Sequence, residues 1–178
     1  ILGVTIDKPN VFDTDELASL VHRSEQLTGV KSGTSAQADI ALKLLADHAR
    51  TMSFLVADGV VPSNEDRGFV LRRIIRRAIR FAYLLDVETA ITPSLAEHTI
   101  ELMGDAYPVL REQADLITGT LEREEAAFRR TLRSGLSILD GALAEVPEGG
   151  ELAGSVAFQL HDTYGFPLEV TSEIVEDR

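Results

Sequence analysis

Arginine is concentrated in one short stretch of this chain. Six arginines lie between Arg67 and Arg80, a segment that contains no lysine and no acidic residue. Five of them recur at helical spacing: Arg72, Arg73, Arg76, Arg77 and Arg80. At 3.6 residues per turn these side chains fall on one stripe of a helix. The stretch therefore predicts a helix over 67–85 with arginine on one side.

The apolar residues of this helix are expected to face a core on the opposite side. They are Val70, Leu71, Ile74, Ile75, Ala78 and Ile79. The whole chain is acidic, with 29 acidic and 17 basic residues and a net charge of −12. A cationic stripe on an acidic body steers an anionic partner, and arginine favours bidentate contact with phosphate or carboxylate. The alternative is a solvated face, or pairing with acidic residues elsewhere in the chain.

Helical start and stop signals continue along the chain. Asp13, with Glu16 three positions later, resembles a capping box that begins a helix running to about Leu27. Ser35 is expected to cap a longer helix that ends at Gly59. His48 falls on the apolar stripe of that helix, where a lone histidine is more often hydrogen-bonded in the core than a ligand or base. Thr92 is expected to cap a short helix in which Pro93 takes the first position.

Pro108 begins the longest helical pattern, predicted over 108–145. Its apolar residues recur in steps of three, four and seven, as in a helical bundle. Glu125 and Arg129 form a favourable i,i+4 pair that is expected on the solvent side. Gly135 weakens the helix locally, which points to a bend or a close helix contact there.

Pro147–Gly150 is the clearest internal break. The prediction is a helical bundle over 1–146 and a C-terminal helical segment over 151–178 that packs on it. Gly165 is expected in the left-handed position that ends a helix, and Pro167 begins the next one. The fold class is all-α, with at most a minor β element near 150–160.

Composition excludes several classes of site. The absence of cysteine removes disulfides, thiolate metal sites and thiol catalysis. The four histidines are scattered singly, so neither a catalytic residue nor a metal site is predicted. No run is apolar enough to cross a membrane. The chain begins at Ile1, which suggests a piece of a longer protein.

Several motifs in a fixed order resemble the alanyl-tRNA synthetases. They begin with Ala46–Arg50 and Ala57–Gly59, and continue with the PSNEDRGFVLRRIIRRAIR block at 62–80. MGDAYP at 103–108 and LHDTYGFP at 160–167 complete the series. Together these motifs cover most of residues 36–175, and their shared order makes the resemblance specific.

The resemblance implies the middle, tRNA-recognising region that follows the class II catalytic domain. No counterpart is seen of that domain's ATP-binding motifs, or of the editing domain's zinc-binding histidines and cysteine. The segment is therefore expected to hold no cofactor, while the parent enzyme would use ATP, magnesium and editing-domain zinc. The parent would be a cytoplasmic ligase of protein biosynthesis, joining alanine to tRNA(Ala), with the adjoining catalytic domain as a partner of this segment.

The resemblance also implies recognition of the G·U wobble pair in the tRNA acceptor stem. Matched by motif, the base-reading residues are Asn64 in the PSNE turn and Asp162 in the DTYGFP block. They are expected to converge on one side of the fold with the arginines. Alternatively, Asn64 caps the arginine-rich helix, and Asp162 binds local backbone amides.

The arginines would then hold the RNA backbone. This set comprises Arg67, Arg72, Arg73, Arg76, Arg77 and Arg80. Asp66 departs from many relatives by adding a negative charge beside the expected RNA surface. The competing hypothesis is a non-catalytic helical scaffold, in which the arginines dock on the catalytic domain or on an acidic protein partner.

Overall fold

The fold is built from α-helices, and the all-α prediction is confirmed. The computed structural model describes residues 8, 10–147, 149–164 and 166–176, and those residues contain no β-strand. The helices are α1 (Asp15–Thr28), α2 (Ala36–Ala57), α3 (Asp66–Leu84), α4 (Thr92–Met103), α5 (Val109–Glu112), α6 (Ala114–Ala144), α7 (Gly154–Tyr164) and α8 (Leu168–Glu176).

Local capping signals are found at three helix ends of the first unit. The Ser35 hydroxyl accepts from the backbone N–H of Ala38 at 3.0 Å and begins α2. Gly29 and Gly59 take left-handed conformations just after α1 and α2, as glycine readily does. The predicted capping box at Asp13 is wrong, because Asp13 ends a short 3-10 turn and Thr14 occupies the cap position of α1. The left-handed conformation predicted for Gly165 lies outside the described residues.

Two compact units make up the chain, 1–126 and 127–178. The boundary between them falls within α6, whereas the break at Pro147–Gly150 separates α6 from α7. The predicted division into a bundle over 1–146 and a C-terminal segment over 151–178 stays a prediction.

Helix α2 is the centre of the first unit, since α1, α3 and α4 all pack against it. The core is aliphatic, and its fully buried members include Leu20, Leu42, Leu45, Met52, Leu71, Ile75 and Leu95. Helix α3 is thereby fixed along one side by its leucine and isoleucine side chains. The remaining side of α3 carries the arginines discussed below.

The long helical pattern is interrupted once. Helix α5 ends at Glu112, Gln113 caps it, and α6 begins at Ala114. The prediction of one continuous helix from Pro108 is therefore wrong at this point, although its predicted inward residues Leu110, Ile117 and Leu121 are fully buried.

Glu125 is buried completely, and its expected place on the solvent side of α6 is wrong. Its carboxylate accepts from the backbone N–H groups of Ile91 and Thr92 and from the Thr92 hydroxyl. These donors lie at the start of α4 and have no partner within that helix. Ile91 occupies the cap position and Thr92 is the first helical residue, so the prediction of Thr92 as the cap is wrong. Glu125 therefore caps α4 from a distant helix.

In the second unit, α7 and α8 pack against each other. Phe166 lies in the segment that connects these two helices and is fully buried. A Cβ added at Gly135 of α6 would overlap its ring. Of the bend or close helix contact predicted at Gly135, the structure shows a close contact, although its partner Phe166 lies between two helices and not within one. Glycine is the residue that leaves room for this ring.

Candidate nucleic-acid interface

The turn before α3 is held tightly to the first turn of that helix. The Ser63 hydroxyl donates to the carbonyl of Glu65 at 2.8 Å and accepts from its N–H at 3.3 Å. A Cβ at Gly68 would collide with the Ser63 side chain and the Val61 carbonyl. Turn and helix therefore form one rigid piece, and this positions Asn64.

Asn64 is exposed at the tip of this turn. Its side-chain oxygen Oδ1 accepts a hydrogen bond from Arg72 Nη1 at 2.5 Å. The alternative that Asn64 caps the arginine-rich helix is therefore wrong, since Glu65 occupies the cap position. The amide is held by a side chain eight residues further along the chain, in the second turn of α3.

Arg72 is half-buried and is bonded to three other residues of the first unit. Besides Asn64, it donates from Nη2 to the Pro62 carbonyl at 3.1 Å and to Glu124 Oε1 at 2.9 Å. Only 21% of the Arg72 side chain and 17% of Glu124 are exposed. The alternative in which an arginine pairs with an acid elsewhere in the chain therefore holds for Arg72. Spacing alone could not identify Glu124, because it lies 52 positions away.

The predicted solvent-facing stripe is wrong at its far end, where Arg80 is 4% exposed. The reason is geometric, because residues four apart drift by about 40° around the axis at each step. Across Arg72, Arg76 and Arg80 the row therefore turns by about 80° and enters the core. Val70, predicted inward, is 54% exposed for the same reason.

Three guanidinium groups remain at the surface: Arg67, Arg73 and Arg77 are exposed. Arg76 is half-buried, and burial lowers its pKa while the charge of Glu124 opposes that shift. The guanidinium of Arg77 lies 5.9 Å from the centroid of the Phe81 ring. The cationic surface of α3 is therefore smaller than the sequence suggested.

His48 lies on α2 in the electrostatic field of Arg77. Its ring bonds to Asp47 Oδ2 at 3.3 Å, and 16% of the side chain is exposed. Burial lowers the pKa of His48, with a smaller contribution from the Arg77 charge, while Asp47 opposes the shift. The imidazole is a hydrogen-bonded, half-buried group, as expected for a lone histidine on an apolar stripe.

Asp66 begins α3 in a left-handed conformation, with φ of 49°. Asp and Asn tolerate this region better than other non-glycine residues. Together with Gly59, Ser63 and Arg67, Asp66 lines an open cleft of about 360 Å³. A carboxylate and a guanidinium therefore stand side by side at the start of the helix.

Asp162 is exposed in the last turn of α7, within the second unit. It lies inside the helix, and the described residues give its carboxylate no hydrogen-bond partner. The alternative that Asp162 binds local backbone amides stays a prediction, since Gly165 lies outside the described residues. An acid in the last turn is unfavourable for the helix dipole. Because Asn64 belongs to the first unit, the expected convergence of the two residues stays a prediction.

Within the described part of the chain, no cluster of three or more histidine, aspartate or glutamate side chains could hold a metal ion. None of the helices described there has the length and apolar character needed to cross a membrane.

A family model described as "tRNA synthetases class II (A)" matches residues 1–178. The alanine–tRNA ligase of Carboxydothermus hydrogenoformans is 45% identical over 172 residues, covering 96% of this chain and 20% of the relative. The alanine–tRNA ligase of Caulobacter vibrioides is 50% identical over 164 residues, covering 92% and 18%. This chain thus spans about a fifth of the length of these relatives.

Proposed function

The chain belongs to the alanyl family of class II tRNA synthetases, and on that premise we propose that it binds the acceptor stem of tRNA(Ala) and reads its G·U pair. The observation that carries this proposal is Asn64, an exposed amide on a turn that Ser63, Gly68 and Arg72 hold fixed. A fixed polar group at a surface is the requirement for reading a base pair.

The chemistry of the target supports this assignment. An RNA helix hides its major groove and offers a wide, shallow minor groove. Guanine places an exocyclic amino donor in that groove. In a wobble pair the bases slide, and this amino group loses the acceptor that it has opposite cytosine. A protein acceptor that takes its place can distinguish G·U from G·C.

Asp162 is the proposed acceptor. An ionised carboxylate can only accept hydrogen bonds, which matches a free amino group. Its exposure on α7 leaves it available to a partner. Asn64 is proposed as the second reader, since an amide offers two donors and one acceptor group.

The proposed contacts to the phosphate backbone are Arg67, Arg73 and Arg77, because these guanidinium groups are exposed. Phosphate contacts fix the register of the RNA while base contacts supply specificity. Arg76, which is half-buried, stays a proposed contact of the same kind. Arg72 and Arg80 are withdrawn from this set, since one is bonded to Glu124 and the other is buried.

The parent protein is proposed to be an alanine–tRNA ligase that attaches alanine to tRNA(Ala) with ATP and magnesium. Since this chain spans about a fifth of the relatives, the alanylating site is assigned to the remainder of that protein. The present segment would select the tRNA on which that site acts.

The test is alanylation of acceptor-stem minihelices by the full-length parent protein, with G·U or G·C at the wobble position. We expect Asn64→Ala and Asp162→Ala each to reduce the ratio of kcat/KM for G·U over G·C by roughly 5- to 150-fold, since a lost polar contact costs about 1–3 kcal/mol. Glu97→Gln, a substitution at an exposed residue of α4, is the control. Wild-type selectivity in Asn64→Ala would contradict the proposal, and wild-type selectivity in Asp162→Ala would contradict the role of Asp162.

A second candidate function rests on the outward face of α3. Phe69, Val70 and Leu84 are 44%, 54% and 53% exposed beside Arg73 and Arg77. A mixed apolar and cationic face suits a protein contact better than a phosphate contact. In this alternative, the face docks on the remainder of the parent protein, and its arginines contribute nothing to the salt dependence of RNA binding.

A further inference from the structure

Three side chains of the first unit form a continuous chain of hydrogen bonds from the interior to the surface. Glu124 on α6 accepts from Arg72 on α3 at 2.9 Å, and Arg72 donates to Asn64 in the turn at 2.5 Å. The inner end is the half-buried carboxylate of Glu124, and the exposed end is the amide assigned to base reading.

Chemistry fixes which way the amide of Asn64 points. A guanidinium group has five N–H donors and no acceptor, so only the oxygen of the amide can face Arg72. The nitrogen Nδ2 is therefore directed away from Arg72, with two N–H donors to offer. With Arg72 absent or turned away, the amide is able to rotate and present its oxygen instead.

Glu124 determines where Arg72 is held. The ion pair is largely screened from water, with 21% and 17% of the two side chains exposed, so it is stronger than a surface pair. The same Nη2 atom also donates to the Pro62 carbonyl, which ties the guanidinium to the turn itself. The charges of Glu124 and Arg72 also act on Arg76, so removal of Glu124 would leave two neighbouring cations without this counter-charge.

We propose that Glu124 is a positioning residue which, through Arg72, holds Asn64 with its amide nitrogen outward as a hydrogen-bond donor. Its ligand is an acceptor in the RNA minor groove, either a base-edge oxygen or nitrogen or a ribose hydroxyl. This inference rests on the proposed function, and it changes the role of Arg72 from a phosphate contact to an organiser of the reading residue.

The test uses Glu124→Gln in the full-length parent protein. Glutamine keeps the shape of the side chain but removes the charge that holds Arg72. The matched control is Glu122→Gln, which removes the same charge from an exposed position of α6 two residues away. We expect Glu124→Gln to reduce the G·U over G·C ratio of kcat/KM by about threefold to tenfold, with the salt dependence of RNA binding unchanged. Glu122→Gln should change neither.

The double variant Asn64→Ala with Glu124→Gln distinguishes a positioning role of Glu124 from a merely structural one. If Glu124 acts through Asn64, the double variant has the selectivity of Asn64→Ala alone, because nothing remains to be positioned. A further loss in the double variant, or equal losses on G·U and G·C minihelices, overturns the inference. Wild-type selectivity of Glu124→Gln overturns it as well.

The outcome for Asn64→Ala distinguishes this inference from the proposed function. Unchanged selectivity in that variant contradicts the function itself. Reduced selectivity in Asn64→Ala, with Glu124→Gln behaving as Glu122→Gln, contradicts only the positioning role. Arg72→Lys gives an independent check, because lysine keeps the charge but cannot reach Asn64, Pro62 and Glu124 through a planar fork. It should reproduce the loss seen with Glu124→Gln, and wild-type selectivity would contradict the inference.

Discussion

Glu125 and Thr92 are 33 positions apart in the chain and bonded twice. The Glu125 carboxylate accepts from the Thr92 backbone N–H at 2.8 Å and from its hydroxyl at 2.6 Å. It also takes the N–H of Ile91, so one buried side chain satisfies the start of α4. This contact ties α6 to the start of α4, whose first N–H groups have no acceptor within α4 itself.

Replacing Glu125 by alanine should destabilise the protein by about 3 kcal/mol or more, because three buried donors lose their acceptor. Thr92→Ala should cost about 1–2 kcal/mol, since only the hydroxyl is lost. Urea unfolding of both variants and of Glu122→Gln measures these differences. Additive effects in the double variant would show that Glu125 and Thr92 do not depend on each other.

Two glycines of α6 should respond oppositely to alanine. Gly135→Ala should cost about 1–3 kcal/mol, because the new methyl group would overlap the buried Phe166 ring. Gly141→Ala should stabilise by up to about 1 kcal/mol, since its Cβ would meet open space and alanine is the better helix former. Thermal unfolding of the two variants gives the comparison, and a shift of equal sign would contradict the close contact at Gly135.

The exposed arginines should control the salt dependence of RNA binding. Arg73→Ala and Arg77→Ala should each lower the slope of log K against log salt by roughly 0.7–0.9, with G·U and G·C stems weakened equally. Arg130→Ala, at an exposed position of the second unit, serves as the control. A slope unchanged in both α3 variants would favour the docking role of this face.

The loop after α1 should become less stable in acid. The Glu25 carboxylate accepts from the Ser32 N–H at 2.8 Å and pairs with Lys31 at 3.1 Å. These contacts, the backbone bond above all, lower the pKa of Glu25 from 4.5 to about 2. The unfolded state therefore binds the proton more readily, and the stabilisation present above pH 4.5 is lost as the pH falls towards 2.

Glu25→Gln should accordingly flatten the decline of the free energy of unfolding across that pH range. Urea denaturation at a series of pH values measures the decline, with Glu97→Gln as a control on the exposed surface of α4. An equal decline in Glu25→Gln and in the unmodified protein would contradict the lowered pKa.

The helices could be predicted from the sequence because their signals are local. Ser35, Gly29 and Gly59 act within a few residues of the ends that they define. Glu125 could not be placed correctly, because the backbone groups of Ile91 and Thr92 that it accepts from belong to the start of another helix. The helical spacing of residues along one segment does not indicate which distant residue a side chain will bond to.

The candidate site shows the same limit. Its residues were found by motif, and spacing placed Arg73 and Arg77 at the surface. Spacing could not separate them from Arg80, which is buried, or from Arg72, which is bonded to Glu124. The direction in which an arginine points depends on the helix packed behind it.

The close packing of Ser63 on Gly68 has a consequence for how tightly an RNA could bind. A loop that orders only upon encounter loses conformational entropy at that moment, which weakens the complex. Here the conformational entropy of the turn is lost when the chain folds, so the turn is already in its binding conformation before RNA arrives. Substituting Gly68, which is buried, would therefore weaken association by loosening the turn.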